Sequence, residues 1–398
     1  MKIIIVIQGS QGDVNPFFSL GIILKASGHK VIFAAPDGFK QQYIKYGFEH
    51  IPVGFDFKMK PEEANGKYMF SQLKKSIEDQ FEILINSIKD ADLIIGNGLD
   101  FAGSSISEKF GTPHIAVLHV PPAFKSDSMA PISVKNRNLP RIINKIHWKV
   151  GNLFIMILFG KWVNIEREKL SLPKFKNYCE LMTKGAILSA AKSLAPMPPE
   201  YSNVFRTGYW VLDDGDELDG ELENFINAGE PPIYIGFGSM IDQDSQKTSQ
   251  ILNKLISLKD YRFVISRGWA NLTAQKNENV YFVDYVPHVK LFPKMSMTIH
   301  HGGAGTTHTS AKAGVPQILV PHALDQYYWA DRIYKLKLGP KPLQRRKLTF
   351  QGVKISIDEV LKNPIYKENA AKVAKEINAE DSIGDMVKYI EEKVGVMC

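Results

Sequence analysis

The run His300-His301-Gly302-Gly303-Ala304-Gly305-Thr306-Thr307 joins a short apolar segment, Met297-Thr298-Ile299, to a helical pattern over residues 307–313. Glycines at a strand-to-helix junction let the backbone come close to a bulky anion, and the first N–H groups of the helix then point at it. Two histidines at the entrance and two threonines at the exit add side-chain donors around the same point. After Val315-Pro316 and an apolar run over residues 317–320 comes Pro321-His322-Ala323-Leu324-Asp325-Gln326. An acid beside an amide at a helix start suits a polyhydroxylated ligand, because each side chain can hold two hydroxyls. An anion cradle and a hydroxyl reader one strand apart imply a nucleotide-sugar site. Its candidate members are His301, Gly303, Ala304, Gly305, Thr306, Asp325 and Gln326.

A second glycine loop, Gly9-Ser10-Gln11-Gly12-Asp13-Val14-Asn15-Pro16, follows the first apolar run at residues 3–7. Asn15 reads as the N-cap of the next helix, Pro16 as its first position and Gly28 as the residue just past its end. With capping assigned to Asn15, Asp13 is left for chemistry at the carboxyl end of a strand, where open α/β sheets place their sites. Proximity to a helix start favours its ionised form, as a general base requires.

These motifs carry a family resemblance. The span from about Tyr285 to Pro342 resembles the donor-binding signature of nucleotide-sugar-dependent glycosyltransferases, in the branch that contains sterol 3β-glucosyltransferases. It is also similar to bacterial natural-product glycosyltransferases acting on glycopeptides and macrolides, and residues 9–16 look like that family's acceptor-side loop. The resemblance implies a GT-B fold and inverting transfer of glucose from UDP-glucose to a lipophilic alcohol, a sterol being favoured. Asp13 would be the base, and no metal or other cofactor would be needed. It further implies donor contacts from Ser10, Gln11 and Gly12, and from Ser239 in Gly236-Phe237-Gly238-Ser239-Met240. In Asp284-Tyr285-Val286-Pro287-His288, the main chain at Val286 would hold the base and His288 would line the nucleotide pocket. Asp325-Gln326 matches the pair of glucose-using relatives. One departure stands out: sterol-type relatives carry Ser-Arg-Gly-Asp where this chain has Ser10-Gln11-Gly12-Asp13, so a charge is missing and donor affinity and identity are affected. Uridine follows from the resemblance only, and nothing in the residues excludes thymidine. Macrolide, carotenoid, phenolic and other lipid acceptors stay open, as does a nucleotide-sugar epimerase of the same fold.

The elements that must position these motifs alternate along the chain. Strand patterns cover residues 3–7, 31–35, 50–53, 93–95 and 114–118, separated by helical patterns at 16–27, 39–46, 62–89 and 101–110. The alternation restarts with strand patterns at 233–236, 263–266, 281–283, 297–300 and 317–320. This predicts an α/β protein of two doubly wound, Rossmann-like domains. The length of 398 residues agrees with two cores. The divisions expected are 1–210 for the acceptor side, an acidic, turn-rich linker at 211–230, and 231–380 for the donor side. A last helix within 381–398 would cross back to the first domain.

The chain carries a formal charge of +7 and two cysteines, Cys179 and Cys398. Two cysteines make neither a disulfide framework nor a metal cluster, which points to a reducing, cytoplasmic setting. The short apolar start reads as a first strand and not a signal peptide. No apolar run reaches membrane-spanning length. Between residues 141 and 176, eight basic residues stand against Glu166 and Glu168, around the apolar run 153–159 and beside Trp148 and Trp162. The favoured reading is a buried helix with a solvated basic edge. The alternative is peripheral docking on an anionic membrane. Nothing resembles a nucleic-acid-binding module, and the oligomeric state is not legible.

Overall fold

The computed structural model describes residues 1–55, 66–238, 245–268 and 277–395. Among these residues twelve strands form two sheets in which every pairing is parallel. The first holds β1 (Lys2–Val6), β2 (Lys30–Ala35), β3 (Glu49–Pro52), β4 (Leu93–Gly96), β5 (His114–Leu118), β6 (Ile187–Ser189) and β7 (Arg206–Thr207) in the order 3-2-1-4-5-6-7. The second holds β8 (Ile233–Gly236), β9 (Phe263–Ser266), β10 (Val280–Val283), β11 (Met297–His300) and β12 (Gln317–Leu319) in the order 10-9-8-11-12. The ten strands read from the sequence all form, within a residue or so at each end. β6 and β7 were not legible because three and two residues are too short to show a period.

β1 shows why the sheet is covered on both faces. Ile3 and Ile5 pack with Phe17, Phe18 and Leu20 of the Gln11–Ala26 helix. Ile4 and Val6 point the other way, onto Ile77, Phe81 and Leu84 of the Gly66–Ser87 helix. A continuous apolar strand is what burial on two sides demands. In the second sheet Ile233 and Ile235 face one cluster while Tyr234 joins Leu291 and Phe292 in another.

The two halves are joined by more than the linker. The Ser382–Gly395 helix lies on the first domain, with Met386 and Ile390 fully buried in that core. Tyr389 stacks on Phe205 at 4.1 Å, and the Trp210 indole donates to the Ser382 carbonyl at 3.2 Å. Leu188 and Leu194 of the first half share an apolar cluster with Trp329 and Ile333 of the second. The Ala191 N–H donates to His308 Nε2 at 3.2 Å, and Arg332 Nε donates to the Leu194 carbonyl at 2.8 Å. The acidic linker is tied to both sides, through Lys45–Asp216 at 2.9 Å and Lys290–Glu217 at 3.0 Å. It contains a short helix of its own, Gly220–Asn227.

The 141–176 segment corrects the buried-helix expectation. Arg141–Ile155, a π-turn at Met156–Gly160 and Lys161–Lys169 form one helical run. By length and composition this 29-residue run could cross a membrane, although no apolar run in the sequence reaches that length unbroken, and much of its apolar surface faces outward. Trp148 is buried, its indole donating to the Met129 carbonyl at 2.8 Å, so it fastens the helix to the domain and does not flank an exposed face.

Candidate active site

Both sheets deliver their functional loops from strand carboxyl ends, next to the points where strand order reverses. Asp13 follows β1, and the His301–Thr306 loop follows β11.

The Asp13 helix begins one turn earlier than the sequence implied. Its first residue is Gln11 and its N-cap is Ser10, while Pro16 lies inside the helix, past the first turn. The reason is a capping arrangement between Ser10 and Asp13: the Ser10 N–H and hydroxyl both donate to Asp13 Oδ2, at 2.8 and 3.0 Å. Asn15 is therefore not the cap, and Asp13 is not free of capping. Ser10 spends its hydroxyl on Asp13. Both bonds fall on one oxygen, and among the described residues Oδ1 has no donor. Gly9, at φ +130°, makes room for this, since a Cβ there would lie 2.5 Å from Asp13 Oδ2. Burial pushes the Asp13 carboxyl above its ordinary pKa, against the two bonds from Ser10. Gln11 is half-buried and Gly12 exposed on the same first turn.

The anion cradle is likewise one turn longer than expected. The helix runs Ala304–Lys312 with Gly303 as N-cap, and does not wait for residue 307. The Thr307 N–H bonds back to the Gly303 carbonyl at 3.0 Å, so the N–H groups of Ala304, Gly305 and Thr306 head the helix without intrahelical partners. Gly302 adopts φ +89°, and a Cβ on Gly303 would lie 2.6 Å from His301 Nε2. The two histidines divide their work. His300 is fully buried, with Nε2 on Gln317 Oε1 at 3.0 Å and Nδ1 accepting from the Gly302 N–H at 3.1 Å; it shapes the turn. His301 has a buried Nδ1 with no partner among the described residues. Burial, followed by the neighbouring His300, lowers the His301 pKa to about 3, so the ring is neutral and acts as a hydrogen-bonding group.

Asp325 stands at the N-cap of the Gln326–Lys335 helix but makes no side-chain cap. Its Oδ2 accepts from the Trp329 indole at 3.1 Å. Burial and then the charge of Asp13 raise its pKa to about 7, while Trp329 and the Ala304 N–H pull it down. Asp13, Asp325 and the head of the 304–312 helix thus share one electrostatic site although they come from both halves. Gln326 is buried, and its Oε1 accepts from the N–H groups of His322 and Ala323 at 2.7 and 3.1 Å. That oxygen closes its own loop and is not available to a sugar, which narrows the role expected of Gln326.

Tyr209, which the sequence did not single out, sits between these groups. It stacks on His308 at 4.3 Å, and a Cβ on Gly305 would lie 3.2 Å from its hydroxyl. Burial first, then the charges of Asp13 and Asp325, raise its pKa far above the ordinary phenol range. His119, just past β5, was also missed. Its Nδ1 is 3.1 Å from the Ser189 carbonyl, its buried Nε2 has no partner among the described residues, and burial lowers its pKa to about 4. A histidine one residue beyond a strand's carboxyl end was the available signal. Asp100 is structural: it accepts from the Gly103 N–H at 2.6 Å and meets His114 at 3.0 Å.

Val286 is buried and lines an open groove of about 530 Å³ with Tyr285, Pro287 and the acidic linker residues Asp216 and Glu217. His288 contacts the Tyr234 hydroxyl through Nε2 at 2.9 Å and stacks on Phe292 at 4.4 Å. Burial lowers its pKa to about 4. Ser239 lies outside the described residues; the preceding Gly238, at φ +60°, abuts His301, whose Cε1 would be 3.1 Å from a Cβ there. Among the described residues no group of three His, Cys, Asp or Glu side chains could hold a metal ion.

Residues 3–109 match the glycosyltransferase family 28 N-terminal domain, and residues 249–393 match the C-terminal domain of proteins like erythromycin biosynthesis protein CIII. A vancomycin aglycone glucosyltransferase of Amycolatopsis orientalis is 30% identical over 350 residues, covering 85% of each chain. This chain is a GT-B glycosyltransferase. A sterol 3-beta-glucosyltransferase of Arabidopsis thaliana is 28% identical over 424 residues, covering 97% of this chain and 67% of that one. Among solved structures, SnogD of Streptomyces nogalater superposes with a TM-score of 0.72 at 16% identity over 99% of both chains. The glycosyltransferase VinC in complex with dTDP gives 0.73 at 19% identity, over 99% of this chain and 100% of that one. As a GT-B glycosyltransferase the chain is a sugar-transferring enzyme, which removes the epimerase alternative.

Proposed function

We propose that this glycosyltransferase moves glucose from UDP-glucose to the hydroxyl of a lipophilic acceptor, a sterol being favoured, with inversion and with no metal ion or other cofactor. The observation that carries the reading is the pairing of Asp13, with one carboxylate oxygen that has no donor among the described residues, and the cradle at residues 301–306 in one site. The acceptor oxygen attacks the anomeric carbon as the bond from that carbon to the β-phosphate oxygen breaks. The acceptor proton passes to Asp13 Oδ1, and UDP leaves with the bonding pair. The N–H groups of Ala304, Gly305 and Thr306 and the neutral His301 ring stabilise the charge that develops on the diphosphate; a single such donor is typically worth about 10²–10³ in rate. Asp325 accepts hydrogen bonds from sugar hydroxyls. Gln326 orders the His322–Ala323 loop beside Asp325. The main chain at Val286 holds the base, and His288 supports that pocket from behind through Tyr234 and Phe292.

A raised pKa suits Asp13 to this task, because a carboxylate is a weak base for an alcohol and gains strength as its pKa climbs. The reading of glucose and sterol draws on the sterol 3-beta-glucosyltransferase relative and on Asp325-Gln326. A second reading keeps the chemistry and changes the acceptor to a glycopeptide, macrolide, carotenoid, phenolic or other lipid, in line with the vancomycin aglycone relative. Thymidine is the alternative base, in line with the dTDP complex of VinC. The deciding assay incubates the enzyme with UDP-glucose or dTDP-glucose against sterols, macrolides and phenolics and reads product mass. A hexose adduct on a sterol from UDP-glucose supports the reading. Transfer confined to a water-soluble acceptor, or to dTDP-glucose, overturns it in that respect.

A further inference from the structure

The long helical run of residues 141–169 carries an apolar stripe that is left exposed among the described residues. Ile142, Ile146, Val150, Leu153, Phe154 and Ile157 fall at helical spacing on one side. All six are more than half exposed, Ile142 at 69%, Leu153 at 62% and Phe154 at 61%. At about 1.5 Å per residue the stripe is roughly 22 Å long. A contiguous apolar surface of this kind, rimmed by polar groups, marks an interaction site. The opposite side is fixed to the domain. Asn144 and Trp148 are buried and donate to the carbonyls of Asp127 and Met129, and Val163 and Arg167 are buried further along.

The charges decide what covers the stripe. From residue 141 to residue 165 there is no acid, while Arg141, Lys145, Lys149 and Lys161 are all exposed. On a helical wheel Lys145 and Lys149 border one edge of the stripe, and Lys161, just past the π-turn, stands beside Trp162 with its amine 5.3 Å from that ring. The acids that follow are neutralised locally, Glu166 by Lys169 at 2.7 Å and Glu168 by Lys174 at 3.0 Å. An apolar ridge edged by cations is complementary to the acyl boundary of an anionic lipid leaflet, with the lysine amines at the headgroups.

We propose that this face docks the enzyme, in plane, on an anionic membrane surface, with the stripe inserted and the cations on lipid phosphates. The buried anchors on the other side keep the helix parallel to the surface, since spanning the bilayer would tear Asn144, Trp148 and Val163 out of the core. The proposal stands on the helix alone and does not depend on the identity of the acceptor.

The test is co-sedimentation of the full chain with phosphatidylcholine vesicles containing phosphatidylglycerol, compared with phosphatidylcholine alone, without any sugar nucleotide. Binding is expected on the anionic vesicles at low salt and should weaken several-fold at high salt. Leu153→Ser with Phe154→Ser should reduce partitioning at least about tenfold. Lys145→Gln and Lys149→Gln should each reduce it about fivefold. All four positions are exposed, so circular dichroism and calorimetric UDP affinity serve as controls for folding. No binding by the unaltered protein at low salt overturns the proposal, as does binding undiminished in the Ser pair. Retention through an alkaline carbonate wash would mean spanning and not docking. A dimer in sedimentation velocity that the Ser pair abolishes, without vesicle binding, would assign the stripe to a second copy and also overturn it.

Discussion

Replacing Asp325 by Asn should stabilise the ligand-free enzyme more at about pH 8 than at about pH 6. The carboxyl of Asp325 is buried beside the charge of Asp13, and its pKa rises from the usual 3.8 to about 7. A group whose folded pKa lies above its unfolded one contributes stability that is fully present below the unfolded value. That stability is lost as pH climbs through the folded value. About three pH units at 1.36 kcal/mol each put the full swing on the order of 4 kcal/mol, of which about 1.4 kcal/mol falls between pH 6 and pH 8. Asparagine keeps an oxygen for the Trp329 indole and removes the titration. Five imidazoles, at His119, His288, His300, His301 and His308, have pKa values lowered by desolvation and favour the opposite trend, because the unfolded chain takes up their protons on acidification. They are common to both proteins and cancel in the difference. Urea unfolding at the two pH values gives that difference, with Trp329 as a fluorophore hydrogen-bonded to the altered position. An Asp325→Asn stability increment that is the same at both pH values would refute the assigned ionisation and the claim that Asp13 and Asp325 share a desolvated gap.

Asp13→Asn should leave UDP affinity near normal and slow glucosyl transfer at least about 10²-fold, the lower range for loss of a general base; turnover close to that of the parent removes Asp13 from the mechanism. His301→Ala should weaken UDP binding by about tenfold, the value of one hydrogen bond to a charged group, and an unchanged calorimetric affinity would take the phosphate from that ring. UDP-glucose affinity should rise with pH through about 7, as Asp325 ionises to accept the sugar hydroxyls, whereas UDP affinity should not. Parallel profiles for the two ligands would detach Asp325 from the sugar.

The sheet framework was readable in the sequence because its strands are buried on both faces and appear as unbroken apolar runs such as residues 3–7. What could not be read is instructive. The Gln11–Ala26 helix is capped at Ser10 because the Ser10 N–H and hydroxyl both pair with an acid three residues later, and this local pairing outweighs the Asn15-Pro16 signal. Tyr209 and His308 escaped because their meeting is a property of two domains packed together, and β7, which carries Tyr209 into the cleft, is only two residues long. The apolar run at 153–159 looked like core because hydropathy reports composition and not orientation; only the fixing of Asn144 and Trp148 on the opposite side turns its stripe outward.

The same two acids that define the site also create a conflict, and the way the fold resolves it assigns their roles. Two carboxylates facing one desolvated gap cannot both ionise cheaply, and it is Asp325 whose carboxyl is pushed up by the charge of the other. Asp13 is the better anion of the two: it sits in the first turn of a 16-residue helix and accepts two bonds from Ser10 on Oδ2. Asp325 has the Trp329 indole and a share of the Ala304 N–H, but it bears the charge of Asp13 on top of its own burial. Of the two carboxyls Asp325 is therefore the readier to hold a proton, and the proposed mechanism takes Asp13 as the anion. On the proposed mechanism, donor binding reverses part of this arrangement. Sugar hydroxyls offered to Asp325 favour its anion, and the negative charge that appears there raises the proton affinity of Asp13 across the gap. On this reasoning the base becomes stronger once the sugar it will act upon is in place, which couples occupancy of the rear half of the chain to reactivity in the front half without any movement of either domain.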